Sequence, residues 1–148
     1  MSECLGAEGS RVKLDRIDGP VRPGSVAETD VHIHGGNRPA TVRRLILRIV
    51  EARRHWTDSS GTTVNDTEAQ ERSDRRELTP VWTRQILAES QVDVAATVEA
   101  GTPHTVPVSL EIPLQCGQTS AACVITMHAQ ADIPGQIDPT GTTAIPVA

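Results

Sequence analysis

Three runs of this chain alternate between apolar and polar residues with a period of two, and that alternation restricts it to sheet. In the first run Ala27, Thr29, Val31 and Ile33 point one way, while Glu28, Asp30, His32 and His34 point the other. In the second, Val92, Val94, Ala96 and Val98 alternate with Asp93, Ala95, Thr97 and Glu99. In the third, Val106, Val108, Leu110 and Ile112 alternate with Pro107, Ser109 and Glu111. A period of two gives one buried and one wet face, as in antiparallel sheets. The material for the buried face is restricted as well. There is no Phe and no Tyr, and the two Trp are Trp56 and Trp82, so a core must be made from Val, Ile and Leu. Each contributes about 1.5–3 kcal/mol when fully buried, and the β-branched ones suit a pleated surface.

Pro107 inside the third run predicts an edge strand or a bulge, because proline cannot donate to a ladder. Turn signals separate the runs at Gly19-Pro20, Pro23-Gly24, Gly35-Gly36-Asn37, Gly101 to Pro103, Gly117, Pro134-Gly135 and Asp138 to Gly141. Further strands are expected at Val12 to Ile17, at Cys123 to Ala131 and at Thr143 to Val147. Cys123, Ile125, Met127 and Ala129 then share one face. Many short strands punctuated by Gly and Pro favour a sandwich or barrel.

Two segments read either way. From Thr41 to Trp56, Val42, Leu45, Ile46, Ile49 and Val50 follow helical spacing; as a strand, Leu45, Leu47 and Ile49 share one face. Val81 to Glu89 is equally ambiguous. Thr57 to Arg76 is polar and charged and reads as a long loop with ragged strand ends.

At 148 residues the chain is one domain by length, with residues 1–10 a flexible tail and residues 11–148 the folded unit. Its net charge of −5 argues against a general affinity for nucleic acid, which requires a basic footprint. The opening residues lack a secretory pattern, and no apolar run approaches the about 20 residues of a membrane helix, so a cytoplasmic location is expected. Cys4, Cys116 and Cys123 do not form a disulfide framework.

The chemistry-bearing residues have plain alternatives. His32 and His34 project from one strand face beside Glu28 and Asp30, and histidine and carboxylate suit a transition metal. A third ligand such as His55, His104 or His128 would have to converge; otherwise these residues are a solvated strand face. Cys123 falls on an apolar face, where free cysteine behaves as a small hydrophobe. His55, Asp58, Ser59 and Ser60 are close in sequence, but adjacency is not catalytic geometry. No nucleophile elbow, phosphate-binding loop or zinc-protease motif is present, so neither catalysis nor a cofactor is expected. As a strand, Arg44, Arg48 and Arg54 form a basic stripe with Arg43 and Arg53 beside it. The acidic stretch Asp66, Glu68, Glu71 and Asp74 is placed to neutralise it, or a partner contacts it.

The ordered segments RVKLDRIDGPVRPGSVAETDVHIHGG (Arg11 to Gly36), VRRLILRIVEARRHW, VEAGTPHTVPVSLEIPL (Val98 to Leu114) and VITMHAQADIPGQIDPT (Val124 to Thr140) resemble the N-terminal lobe of the arrestin-like sporulation-control family, the stage-zero sporulation protein M type. The resemblance implies an all-β, arrestin-like (immunoglobulin-like) antiparallel sandwich of about seven or eight strands, and settles Thr41 to Trp56 as strand. It implies a non-catalytic regulator or scaffold that acts through other proteins. A homodimer through an exposed sheet edge is a further expectation, since open strands accept an added strand. Aliphatics replace the family's usual phenylalanines in VPVSLEIP, Gly141 stands where an aspartate is typical, and no basic amphipathic segment precedes the first strand. Family members carry two tandem lobes, so a second lobe is expected to be missing or separately encoded. The other reading is a small metal- or ligand-binding sandwich built on the paired histidines.

Overall fold

The computed structural model describes residues 9–71, 77–114 and 116–148. Cys4 and Asp74 lie outside them. The elements in chain order are β1 (Arg11–Leu14), β2 (Val26–His34), β3 (Ala40–Thr57), β4 (Thr63–Asn65), α1 (Asp66–Glu71), β5 (Thr79–Val98), β6 (His104–Glu111), β7 (Cys123–Asp132) and β8 (Thr140–Ala144).

Two antiparallel sheets form the expected sandwich. The smaller runs β1-β2-β6. The larger is organised by β3. β5 follows one side of β3 from Ala40↔Val98 to Thr57↔Thr79. β7 occupies the other side from Arg44↔Asp132 to Arg53↔Cys123, and β4 continues beside residues 55–57. β8 then pairs with β7. The alternating positions meet between the sheets: Val31, Ile33, Val108 and Leu110 face Leu45, Leu47, Ile49, Ile125 and Met127 in one apolar cluster. The packing is aliphatic throughout.

The helical spacing in β3 has a local cause. The register slips between Val42 and Arg44, so Val42 and Leu45 both point inward although they are three apart. Such a bulge adds one residue to a ladder and bends the strand. The extra residue is in β5, where Val94 and Ala95 stand against Arg43 alone, and Ala95 takes a φ of 47°, a left-handed conformation uncommon outside glycine. Ile46 and Val50 lie half-buried on the outer face, which completes the misleading pattern.

Several boundaries move. β1 ends at Leu14, although Ile17 is still buried. The last strand begins at Thr140 and ends at Ala144; Val147 instead makes a parallel bridge to Val21. Val81 to Glu89 is strand throughout.

The expected loop from Thr57 holds structure. Asp58 accepts hydrogen bonds from the Ser60 amide (3.0 Å), the Ser60 hydroxyl (2.7 Å) and the Thr62 amide (2.9 Å), and this turn passes through Gly61 at a φ of +85°. After β4, the Glu68 amide donates to Asn65 Oδ1 at 2.7 Å while Asn65 Nδ2 donates to Glu68 Oε1 at 2.9 Å. This reciprocal box caps α1, whose Ala69 is buried.

The β1 and β8 edges of the sandwich are drawn together. Gly141 lies directly against the Val12 carbonyl, so a side chain there meets backbone. Only a residue without a side chain admits this close approach. Gly141→Ala is therefore expected to destabilise the fold by about 1–3 kcal/mol, the usual cost of forced overpacking. In urea titrations the midpoint should fall with an unchanged slope, while neighbouring Thr142→Ala stays within about 0.5 kcal/mol of the parent.

Candidate interaction surface

The arginine group of β3 is distributed over both faces, and each member is paired. On the outer face Arg44 lies 3.4 Å from Asp132 and Arg48 2.7 Å from Glu89. Arg43 reaches the same Asp132 at 3.3 Å. Arg54 Nε donates to Asp66 Oδ1 at 2.8 Å, and that oxygen also accepts the Trp56 indole N–H at 3.0 Å. The Arg54 bond, followed by the indole bond, holds the Asp66 carboxyl below the usual carboxylate range. The Arg54 guanidinium sits 5.2 Å from the Trp56 ring centre and 5.9 Å from that of Trp82. A cation and two rings thus stack where β3 and β5 run beyond β7. Among the described residues the acidic stretch meets the stripe here, through Asp66, while Glu68 is spent on the Asn65 cap. Parity two apart (Arg54, Trp56) was the available signal for the stack; the cross-strand register that brings Trp82 was not readable.

On the inner face the alternation ends on charge. Glu51 is buried, with 6% of its surface exposed, and takes Arg53 bidentately at 2.7 Å (Nε) and 3.3 Å (Nη2). The hydrogen bond and charge of Glu51 raise the Arg53 pKa further. Cys123 Sγ approaches Glu51 at 3.9 Å, and Cys116 and Cys123 are both buried free thiols. Burial first, then the nearby carboxylate, pushes both thiols up, so they stay protonated and poorly nucleophilic at neutral pH. Arg53 belongs to the arginine group read from the sequence, but its partner Glu51, two residues before it, escaped that reading because a lone acid looks like a solvated position.

The histidines do not come together. His32 Nδ1 is 2.9 Å from Thr105 Oγ1 and Nε2 is 2.9 Å from Asp15 Oδ1, so both ring nitrogens are engaged. His34 shares its face. His128 stands on the outer face of the other sheet, opposite Arg48 in the register and 3.0 Å from Thr126 Oγ1. His55 contacts Thr83 at 2.7 Å. Among the described residues no group of three His, Cys, Asp or Glu is placed to hold a metal. Asp58 and Ser60 are bound to each other in the turn, and His55 bonds elsewhere, so the sequence cluster His55, Asp58, Ser59, Ser60 is not a triad.

The uncovered feature is β5. It is 20 residues long and pairs with β3 on one side; no other strand among the described residues pairs with it. Its first half is exposed and carries Val81, Trp82 (45% exposed) and Ile86 (57% exposed). Among the described residues no helix is long and apolar enough to cross a membrane.

This is the arrangement of an arrestin-like, immunoglobulin-like β-sandwich with an open edge. The family model described as SpoOM protein matches residues 1–148, so the chain belongs to the SpoOM sporulation-control family. The crystal structure of the sporulation control protein Spo0M from Bacillus subtilis is similar, with a TM-score of 0.68 at 19% identity over 93% of this chain. The match covers 49% of that protein, so this chain spans about half its length. The CARDB domain of the PF1109 protein from Pyrococcus furiosus, solved in complex with di-metal ions, also aligns, over 100% of this chain and 93% of that one, at 13% identity and a TM-score of 0.44. No curated protein matches the chain. Membership supports a regulatory role.

Two outcomes follow for the charged groups. Arg53→Ala strands Glu51 in the interior and should cost about 1–3 kcal/mol in denaturant unfolding, less than a fully buried pair because Arg53 is half exposed; Glu51→Gln in the same background should recover part of it. The pKa of His128 is lowered by burial, then by Arg84 and Arg48, and that of His34 by burial, then by Arg11. With folded values below the ordinary 6.5, the unfolded chain binds more protons on acidification. The stability these residues contribute is present above pH 6.5 and is lost as pH falls through their folded pKa values. Melting temperature should therefore drop between about pH 7 and pH 5, and His34→Gln with His128→Gln should flatten that slope.

Proposed function

We propose that this chain is a non-catalytic regulator or scaffold of the cytoplasm that controls sporulation, or a related developmental or division process, by binding other proteins. The observation that carries the reading is the 20-residue β5, unpaired along its outer edge among the described residues and bearing exposed Val81, Trp82 and Ile86. An open strand offers a row of unpaired donors and acceptors to an added strand, and neighbouring side chains give the pairing its selectivity. Trp82 is the kind of residue that anchors interfaces, and Arg54 behind it keeps the ring oriented. The incoming strand comes from a partner protein or from a second copy of this chain, giving a homodimer. Family membership supports the regulatory role, and the two free thiols fit a reducing compartment. Net charge disfavours nucleic acid as the partner. In this reading residues 11–148 act as one lobe.

Affinity capture with the wild-type chain and with Trp82→Ala/Ile86→Lys tests the proposal. A reproducible set of partners, lost by more than about tenfold in the variant, is the expected result, because central interface anchors commonly cost 2 kcal/mol or more. Absence of any reproducible partner together with turnover of a metabolite by the purified chain would overturn it.

A further inference from the structure

Among the described residues no element covers the outer face of the larger sheet. Between β5 and β8 it holds a shallow groove floored by Val50, Ala52 and Val124, with Arg84 and His128 on its walls. Val50 and Ala52 are half-buried and Val124 is 37% exposed, so the floor is apolar surface left facing outward. No Asp or Glu is among the lining residues, in a chain whose net charge is −5. The arginines of β3 have carboxylate partners, but exposed Arg84 has neither an ion pair nor a hydrogen bond among the described residues.

We infer that this groove is a receptor for an acidic, aliphatic peptide segment of a partner protein, with a carboxylate placed at Arg84 and aliphatic side chains laid over Val50, Ala52 and Val124. The inference rests on the protein-binding reading and names the chemistry of the partner. Charge complementarity selects the occupant: an unpaired guanidinium over an apolar floor, with no carboxylate nearby, takes an anion with apolar flanks and rejects a cation. The span is consistent. From β5 to β8 the groove crosses four neighbouring strands, about 14 Å at the usual strand spacing, which an extended peptide covers with about four or five residues. The groove adjoins the β5 edge, with Arg84 between Trp82 and Ile86 on β5, but its mode of binding differs, since the peptide crosses the strands and makes side-chain contacts on their face.

Isotope-labelled full chain would be titrated with three pools of capped octapeptides, each mixing Leu, Ile and Val with Asp/Glu, with Lys/Arg or with Ser/Asn. The acidic pool is expected to shift the backbone amide signals of Val50, Val124, Thr126 and His128 and to bind more tightly than the neutral pool. Arg84→Gln should weaken that binding about fivefold, as loss of one exposed charge pair implies. Arg84→Glu should abolish the preference for the acidic pool; melting temperatures equal to wild type would show that both variants are folded. Equal binding of the acidic and neutral pools, or an unchanged preference in Arg84→Glu, would overturn the inference. So would the same shifts on concentrating the chain without peptide, which would make a second copy the occupant. Partner capture that survives Arg84→Glu but is lost in Trp82→Ala/Ile86→Lys would leave the scaffold reading intact and remove the groove alone.

Discussion

The structure depends on β3 being buried against two things at once. Leu45, Leu47 and Ile49 have no exposed surface, because the strand is central in its own sheet and also faces the smaller sheet. At about 25 cal/mol per Å² of apolar area removed from water, such positions dominate what a chain without Phe or Tyr can draw on. Aliphatic side chains fill the space between the sheets in many small increments, and no single ring decides the geometry. That makes registration important. The bulge at Val42/Arg44 keeps both ends of β3 facing inward, and Ala95 holds an uncommon backbone conformation to match it.

The same strand also explains where the polar chemistry sits. Its inner row ends at Glu51, beyond which the second sheet no longer supplies apolar cover, and Arg53 meets that carboxylate at the margin. Further out, β3 and β5 continue as an arm steadied by β4, α1 and the stack of Arg54 with Trp56 and Trp82. The two rings of the chain are thus used outside the sandwich, on the arm that bears the exposed half of β5. The core is left to aliphatic side chains, and the large aromatic surface lies at the periphery.

The alternating runs were readable because their faces obey one rule each. Ala27 to His34 and Val106 to Ile112 behave as written, and Pro107 lies on the edge strand β6, as a residue without an amide donor must. Thr41 to Trp56 was ambiguous on pattern because a bulge and two-sided burial break the period of two; the family resemblance resolved it. The stretch after Thr57 was misread as loop. Its Asn65 and Glu68 spacing is a capping signal, but a six-residue helix has no hydrophobic period to announce it. The histidine pair was placed on one face correctly, yet its distance from His128 depends on the two sheets turning their outer faces in opposite directions.

By itself the sequence determined the sheet class, the composition of the core, the faces of the regular strands and, through ordered family segments, the arrestin-like sandwich. Those are properties of neighbouring residues, and backbone periodicity expresses them locally. The tertiary structure alone decided that Glu51 is buried, that every β3 arginine finds a carboxylate (Arg43 and Arg44 sharing Asp132), that Gly141 must admit the Val12 carbonyl, and that β5 has an open edge among the described residues. Each of these depends on which strands become neighbours, and pairing between residues far apart in the chain carries no local signature.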